Sequence, residues 1–230
     1  KETNRFFEPL DPRYHAGDGE YKAMYLHPRP YQDGHPPVWL MSNAPPTFKL
    51  AGEKGWGVIS MAAGVKRTLA CWEPYSDALT ASTGREVALG EGVGVCTAFY
   101  VGESMEEAVE TIRPSINAYY EFLGGSRPAG EWSKHGYLDI GEEMTPEDED
   151  ADWFDFLNKR GIIMVGDAEF VADRIAERQE TTGLDHLMLM QQYTGVPYEK
   201  ILASWHRLFE HVVPRFGTQS IAQKRELGHA

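Results

Sequence analysis

Cysteine is scarce in this sequence. Cys71 and Cys96 are the only two, and their spacing matches neither a metal knuckle nor a redox pair. That excludes a disulfide framework and points to a reducing, cytoplasmic setting, with a lone Cys71–Cys96 bridge as the alternative. Long hydrophobic runs are also missing: none approaches the roughly 20 residues that span a bilayer. Basic residues are in the minority, 22 against 35 acidic ones, for a net charge of −13. A phosphate backbone is bound through Lys and Arg, so this balance disfavours a nucleic-acid partner. The eight histidines do not fall at ligand spacing; neither His186 nor His206 has a second histidine or a cysteine four positions on, and no metal site is expected. Gly90-Glu91-Gly92-Val93-Gly94 precedes a strand instead of following one, which excludes a dinucleotide fingerprint. No Gly-x-Ser-x-Gly elbow is present to seat a nucleophilic serine.

What is present is a rhythm. After 35 irregular residues rich in Pro, Tyr, His and Gly, Val38–Met41 reads as a short strand buried on both faces. Thr47–Lys54 follows as a helix ended by Gly55. Trp56–Met61 is the next strand, and Lys66 to Ala81 a helix closed by Gly84. Val93–Val101 is β-branched and aromatic throughout, the strongest strand of the chain. Ser104 and Glu107 form a capping box for a helix with Pro114 inside it and Gly124-Gly125 at its end. Ser126–Arg160 then dissolves into Gly, Pro and eight acids between Glu142 and Asp155, and is expected to be a solvated, flexible excursion. Gly166-Asp167-Ala168-Glu169 starts another helix, Leu184–Met190 is a further buried strand, and Pro197 opens a final helix with an apolar stripe from Ile201 to Val213.

Strands alternating with helices imply a parallel sheet with helices packed outside it. Four strands alone leave two open edges, Val38–Met41 and Leu184–Met190, which fits either half of a (β/α)8 barrel or a small open α/β sheet. In either, function gathers where strands hand over to helices. Ser42-Asn43-Ala44-Pro45-Pro46-Thr47 is such a handover. A helix start favours a phosphate through free N–H groups and its dipole. Two prolines delete two donors here, leaving the N–H groups of Asn43, Ala44 and Thr47 and the side chains of Ser42, Asn43 and Thr47. An N-cap by Ser42 or Asn43, with no ligand at all, is the plainer reading of the same residues. Met61 and, after the last strand, Gln191 and Tyr193 stand at two further handovers as candidate pocket residues.

The stretch from Pro30 to Ser60 resembles the fifth-strand region of the luciferase-like flavin monooxygenases. Ala44-Pro45-Pro46-Thr47 stands where that family carries a Ser-Pro-x-Ser turn, and Ala51-Gly52-Glu53-Lys54-Gly55 where it carries Ala-Ala-x-x-Gly. Val165-Gly166-Asp167-Ala168 is similar to the family's Val-Gly-Thr-Pro helix start, Gly183-Leu184-Asp185 to its final Gly-Val-Asp strand, and Ala203 to Phe216 to its closing helix with a Phe-x-x-x-Val-x-Pro ending. The resemblance runs from about Gly17 to Phe216. It implies a single domain of the TIM (β/α)8 type, this chain covering about strands five to eight, with the upstream half of the barrel required. It further implies a cytoplasmic, FMN-dependent monooxygenase that uses reduced FMN, supplied by a flavin reductase, and dioxygen on a small organic substrate. Coenzyme F420 is the alternative cofactor, and a non-catalytic half-barrel subunit the alternative role. The cofactor phosphate would lie against Ser42, Asn43, Ala44 and Thr47, the acidic excursion would act as a lid, and the full barrel would form a homodimer. The family's chemistry draws on its first four strands, so no catalytic acid or base is named.

Overall fold

The computed structural model describes residues 31, 36–61, 63–125, 133–191 and 194–217. Expectations for the first 30 residues, for Ser126–Trp132 and for Tyr193 lie outside the described residues. Strand β1 (Trp39–Met41) leads into helix α1 (Pro45–Lys54), β2 (Gly57–Met61) into α2 (Val65–Thr83), and β3 (Val93–Val101) into α3 (Met105–Gly125). Short helices α4 (Pro146–Asp150) and α5 (Trp153–Lys159) precede β4 (Met164–Gly166) and α6 (Ala168–Thr182). Strand β5 (His186–Met190) and α7 (Tyr198–Arg207) complete the order. All pairings are parallel.

β3 is the spine. It pairs with β2 through Val93–Cys96 and with β5 through Gly94–Ala98, so the two flank it on opposite edges. Past the level where they stop, its last three residues pair with β4. Side chains alternate between faces. Val93 and Val95 join Phe48, Trp72 and Tyr75 from α1 and α2, while Phe99 and Val101 meet Val171 of α6 and Leu208 beyond α7. On the other face, Ala98 and Tyr100 pack with Ile112 and Ile116 of α3 and Phe154 and Leu157 of α5. Both faces of β3 are therefore covered, and all nine residues are buried.

The caps follow the sequence closely. Gly55, Gly84 and Gly183 end α1, α2 and α6 with φ near +70°, and Asp167 accepts the Phe170 N–H at the start of α6. Ser104 accepts the Glu107 N–H at 3.2 Å. Pro114 lies inside a helix that runs on to Gly125.

Three expectations change. The described residues form five strands, the added one being the three-residue β4 that leads into α6. The flanking strands are not buried on both faces: Trp39, Met41 and Met188 are 44%, 48% and 46% exposed. Leu40, Leu187 and Leu189 pack under α1, α2 and α6, whereas Trp39, Met41 and Met188 turn to the other face and stay half-exposed. The acidic segment, from Ser133 on, is no patternless excursion. Its Asp148 is 2% exposed and is held by Arg160 at 2.9 Å, Lys159 at 3.1 Å and the Thr145 hydroxyl at 2.8 Å. The Arg160 hydrogen bond, with those of Thr145 and Lys159, keeps the Asp148 carboxyl well below the usual range. Arg113 of α3 likewise takes Asp152 at 2.9 Å and Asp155 at 2.6 Å. Acids that look solvated in sequence are in part matched by cations distant in the chain.

Candidate functional site

The β1–α1 handover is built around Asn43. Its amide donates to the Met61 carbonyl at 2.7 Å and accepts the Met61 N–H at 2.9 Å, while Ser42 N–H reaches the Ile59 carbonyl at 3.1 Å. The Asn43 side chain is thus spent mainly on joining β1 to the end of β2, which fixes its orientation and leaves one amide N–H over. The N-cap of α1 is Ala44, with no side-chain cap. The prolines explain this. Pro45 and Pro46 bring no N–H, and the N–H groups of Thr47 and Phe48 turn back to the Ala44 carbonyl at 3.0 and 3.4 Å. A helix start without free donors needs no capping side chain and makes a poor anion seat. Neither the expected cap by Ser42 or Asn43 nor a backbone phosphate cradle at Ala44 and Thr47 is formed. Ser42 Oγ instead accepts the Ala44 N–H at 3.1 Å, which leaves its hydroxyl proton to give.

A cavity of about 350 Å³ opens beside this turn, within the size range of small-molecule sites. Met41, Met61 and Met190 reach it from the carboxyl ends of β1, β2 and β5, and Cys96 and Ala98 from the middle of the longer β3. Ser42 and Asn43 line it as well; Ala44 and Thr47 do not. The far wall is aromatic: Tyr119 and Tyr120 of α3 and Tyr137, the last residue of a single 3-10 turn. Tyr120 packs edge-on to Tyr137 at 5.4 Å and stacks on Trp153 at 5.4 Å. Burial pushes the phenols of Tyr120 and Tyr137 and the Cys96 thiol above their ordinary pKa values, so all three stay neutral at physiological pH.

Arg67, from the first turn of α2, brings a cation to this wall. Sequence reasoning passed over it because a lone Arg one turn into a helix carries no motif. Gln191 follows Met190, and its amide nitrogen and oxygen are both buried without a hydrogen-bond partner. Among the described residues, no group of three or more His, Cys, Asp or Glu side chains is placed to hold a metal. Both cysteines are free and buried. No described helix is long and apolar enough to cross a membrane.

Residues 9–186 match the sequence pattern of the family described as luciferase-like monooxygenase. No curated protein matches the chain by sequence. Among solved structures, the monooxygenase RslO1 from Streptomyces bottropensis superposes with a TM-score of 0.65 at 18% identity, over 83% of this chain and 51% of that one. The oxygenating constituent of 3,6-diketocamphane monooxygenase from Pseudomonas putida, solved with FMN, gives 0.54 at 17% identity, over 77% and 48%. The coenzyme F420-dependent tetrahydromethanopterin reductase from Methanopyrus kandleri gives 0.51 at 20% identity, over 79% and 51%. At these identities the likeness is one of fold. The chain spans about half the length of these structures, and the five parallel strands of its described residues are part of a barrel of the luciferase-like type. With its pattern matched over more than half of its length, the chain belongs to the luciferase-like monooxygenase family.

Proposed function

We propose that the cavity holds FMN in a monooxygenase that oxygenates a small organic substrate. The observation that carries this reading is one cation among the described residues, Arg67, set in a largely apolar cavity between methionines at the carboxyl ends of the strands and a wall of tyrosines. An anionic group on a flat, largely apolar ring system suits that lining. Arg67 and the Ser42 hydroxyl would hold the phosphate, by charge-assisted hydrogen bonds. Tyr119, Tyr137 and the methionines would enclose the ring and exclude water, the tyrosines by rigid aromatic faces and the methionines by adaptable ones. Gln191 does not line the cavity, although its buried amide has no partner among the described residues; it and Tyr193 keep their place as pocket candidates from the sequence alone. Reduced FMN, supplied by a separate flavin reductase, would bring the electrons that activate dioxygen. Protein groups otherwise only bind and orient.

The remaining strands of the barrel, in this reading, are supplied by an upstream half, and the whole barrel pairs as a homodimer. The test is titration of the full-length protein with FMN, followed by substrate-dependent oxygen uptake in the presence of a flavin reductase. Binding of FMN weakened at least tenfold by Arg67→Gln supports the site. Binding of coenzyme F420 in preference to FMN turns the reading to hydride transfer, and binding of neither leaves a structural role.

A further inference from the structure

Arg67 is held in place by a segment more than seventy residues away. The Leu138 carbonyl accepts from its guanidinium at 3.0 Å. The neighbouring Asp139 carboxylate takes the backbone N–H of Lys66 on one oxygen at 2.9 Å and that of Arg67 on the other at 2.8 Å. Asp139 stands directly over Gly64, where a Cβ would come within 2.6 Å of the carboxyl carbon. From the opposite side Arg178, 5% exposed, donates to the Ala63 carbonyl at 3.2 Å.

Asp139 therefore has two opposed effects on an anion bound at Arg67. It docks the segment whose carbonyl aims the guanidinium, and it sets a negative charge nearby. The charge is largely answered where it sits, by two N–H groups at a helix start and by the field of buried Arg178. The aiming has only a weaker substitute, the Lys66 ammonium on the Ile140 carbonyl at 3.4 Å. We infer that Asp139 is a positioning residue for Arg67, turning its guanidinium toward the anionic group of the ligand, and that this aiming outweighs the repulsion. The inference rests on the reading of Arg67 proposed above.

FMN and riboflavin differ only in the phosphate, so the ratio of their dissociation constants isolates the contact to the anion. A general loosening of the cavity weakens both ligands alike and leaves that ratio unchanged. Gly64→Ala displaces the Asp139 carboxylate without changing any charge. In the full-length protein it is expected to cut the preference for FMN about tenfold, the loss of one charge-assisted hydrogen bond; Gly64 lines the cavity, and any effect of its added methyl on both ligands cancels in the ratio. Asp139→Asn, which keeps the shape and one acceptor, is expected to lower the preference as well. Unchanged preference in Gly64→Ala, or a preference that rises in Asp139→Asn, overturns the inference. Should Gly64→Ala fail to fold, Asp139→Asn decides it alone. Arg67→Gln serves as the reference. If it keeps the preference, the reading of the cavity fails and this inference with it. If it loses the preference while both other variants keep it, only the inference fails.

Discussion

The Asn43 carboxamide takes both backbone groups of Met61, 18 residues on, and adds a side-chain rung to the β1–β2 ladder at the point where backbone pairing ends. The rung fixes Ser42 and Met61 together on the cavity wall. Asn43→Ala removes two neutral hydrogen bonds at an exposed site and should cost about 1–2 kcal/mol, read as a lower denaturant midpoint at unchanged slope. Asn43→Asp should cost more, since a carboxylate would face the Met61 carbonyl with no proton to give. A destabilisation no larger in Asp than in Ala would show that the rung does not bear on the fold.

The turn after β1 also separates two readings of one sequence. A small polar stretch before a helix, with a proline pair inside it, suits both a phosphate cradle and a plain helix start. Only the direction of the Asn43 amide and of the Thr47 and Phe48 N–H groups distinguishes them, and that depends on Met61 and on Ala44, not on the stretch itself. Replacement of Thr47 by Ala is therefore expected to leave FMN affinity within about twofold, whereas Ser42→Ala should weaken it several-fold through the loss of one hydrogen bond to phosphate worth about 1–2 kcal/mol. Parallel titrations check the pair. Equal losses in both variants would return the phosphate to the start of α1.

Much of the fold was legible because its signals are local. Strand β3 and the glycine stops after α1, α2 and α6 rest on runs of neighbouring residues, which sequence displays directly. What stayed hidden was long-range. Arg67 comes to the cavity wall beside Leu138 and strand ends scattered between Met41 and Met190. Asp148 and Arg160 look like two surface charges until the chain folds them together. The short β4 exists because the end of β3 offers it a partner.

Asp148 should make the protein sensitive to acid. Hydrogen bonds from Arg160, Thr145 and Lys159 lower its pKa in the folded state, so the folded chain binds its proton later than the unfolded chain does. The stabilisation is thus full above the ordinary carboxyl pKa of about 4 and is lost as pH falls from there toward the depressed folded value. Asp148→Asn should melt several degrees below the parent at pH 7, and the gap should narrow below about pH 4. Thermal melts of both proteins from pH 7 to pH 3 measure it. A gap constant with pH would mean that packing, and not charge, accounts for the loss.

Two glycines open the cavity-bearing face of the sheet, and they should respond differently to substitution. The Trp39 ring lies over Gly57 and meets His186 at 5.1 Å, bridging strands on opposite sides of the sheet. A Cβ at Gly57 would stand 2.5 Å from that ring, and one at Gly94 would stand 2.5 Å from the His186 backbone carbonyl. A half-exposed side chain can swing away, whereas a carbonyl within a paired strand cannot without breaking the β3–β5 register. Gly94→Ala should therefore cost about 1–3 kcal/mol, as overpacking against fixed atoms does. Gly57→Ala should cost less and act mainly on Trp39, shifting its fluorescence as the ring leaves His186. Denaturant unfolding with emission spectra of both variants separates the two effects. A loss in Gly57→Ala as large as in Gly94→Ala would mean that the Trp39–His186 contact, exposed as it is, holds the two sides of the sheet together.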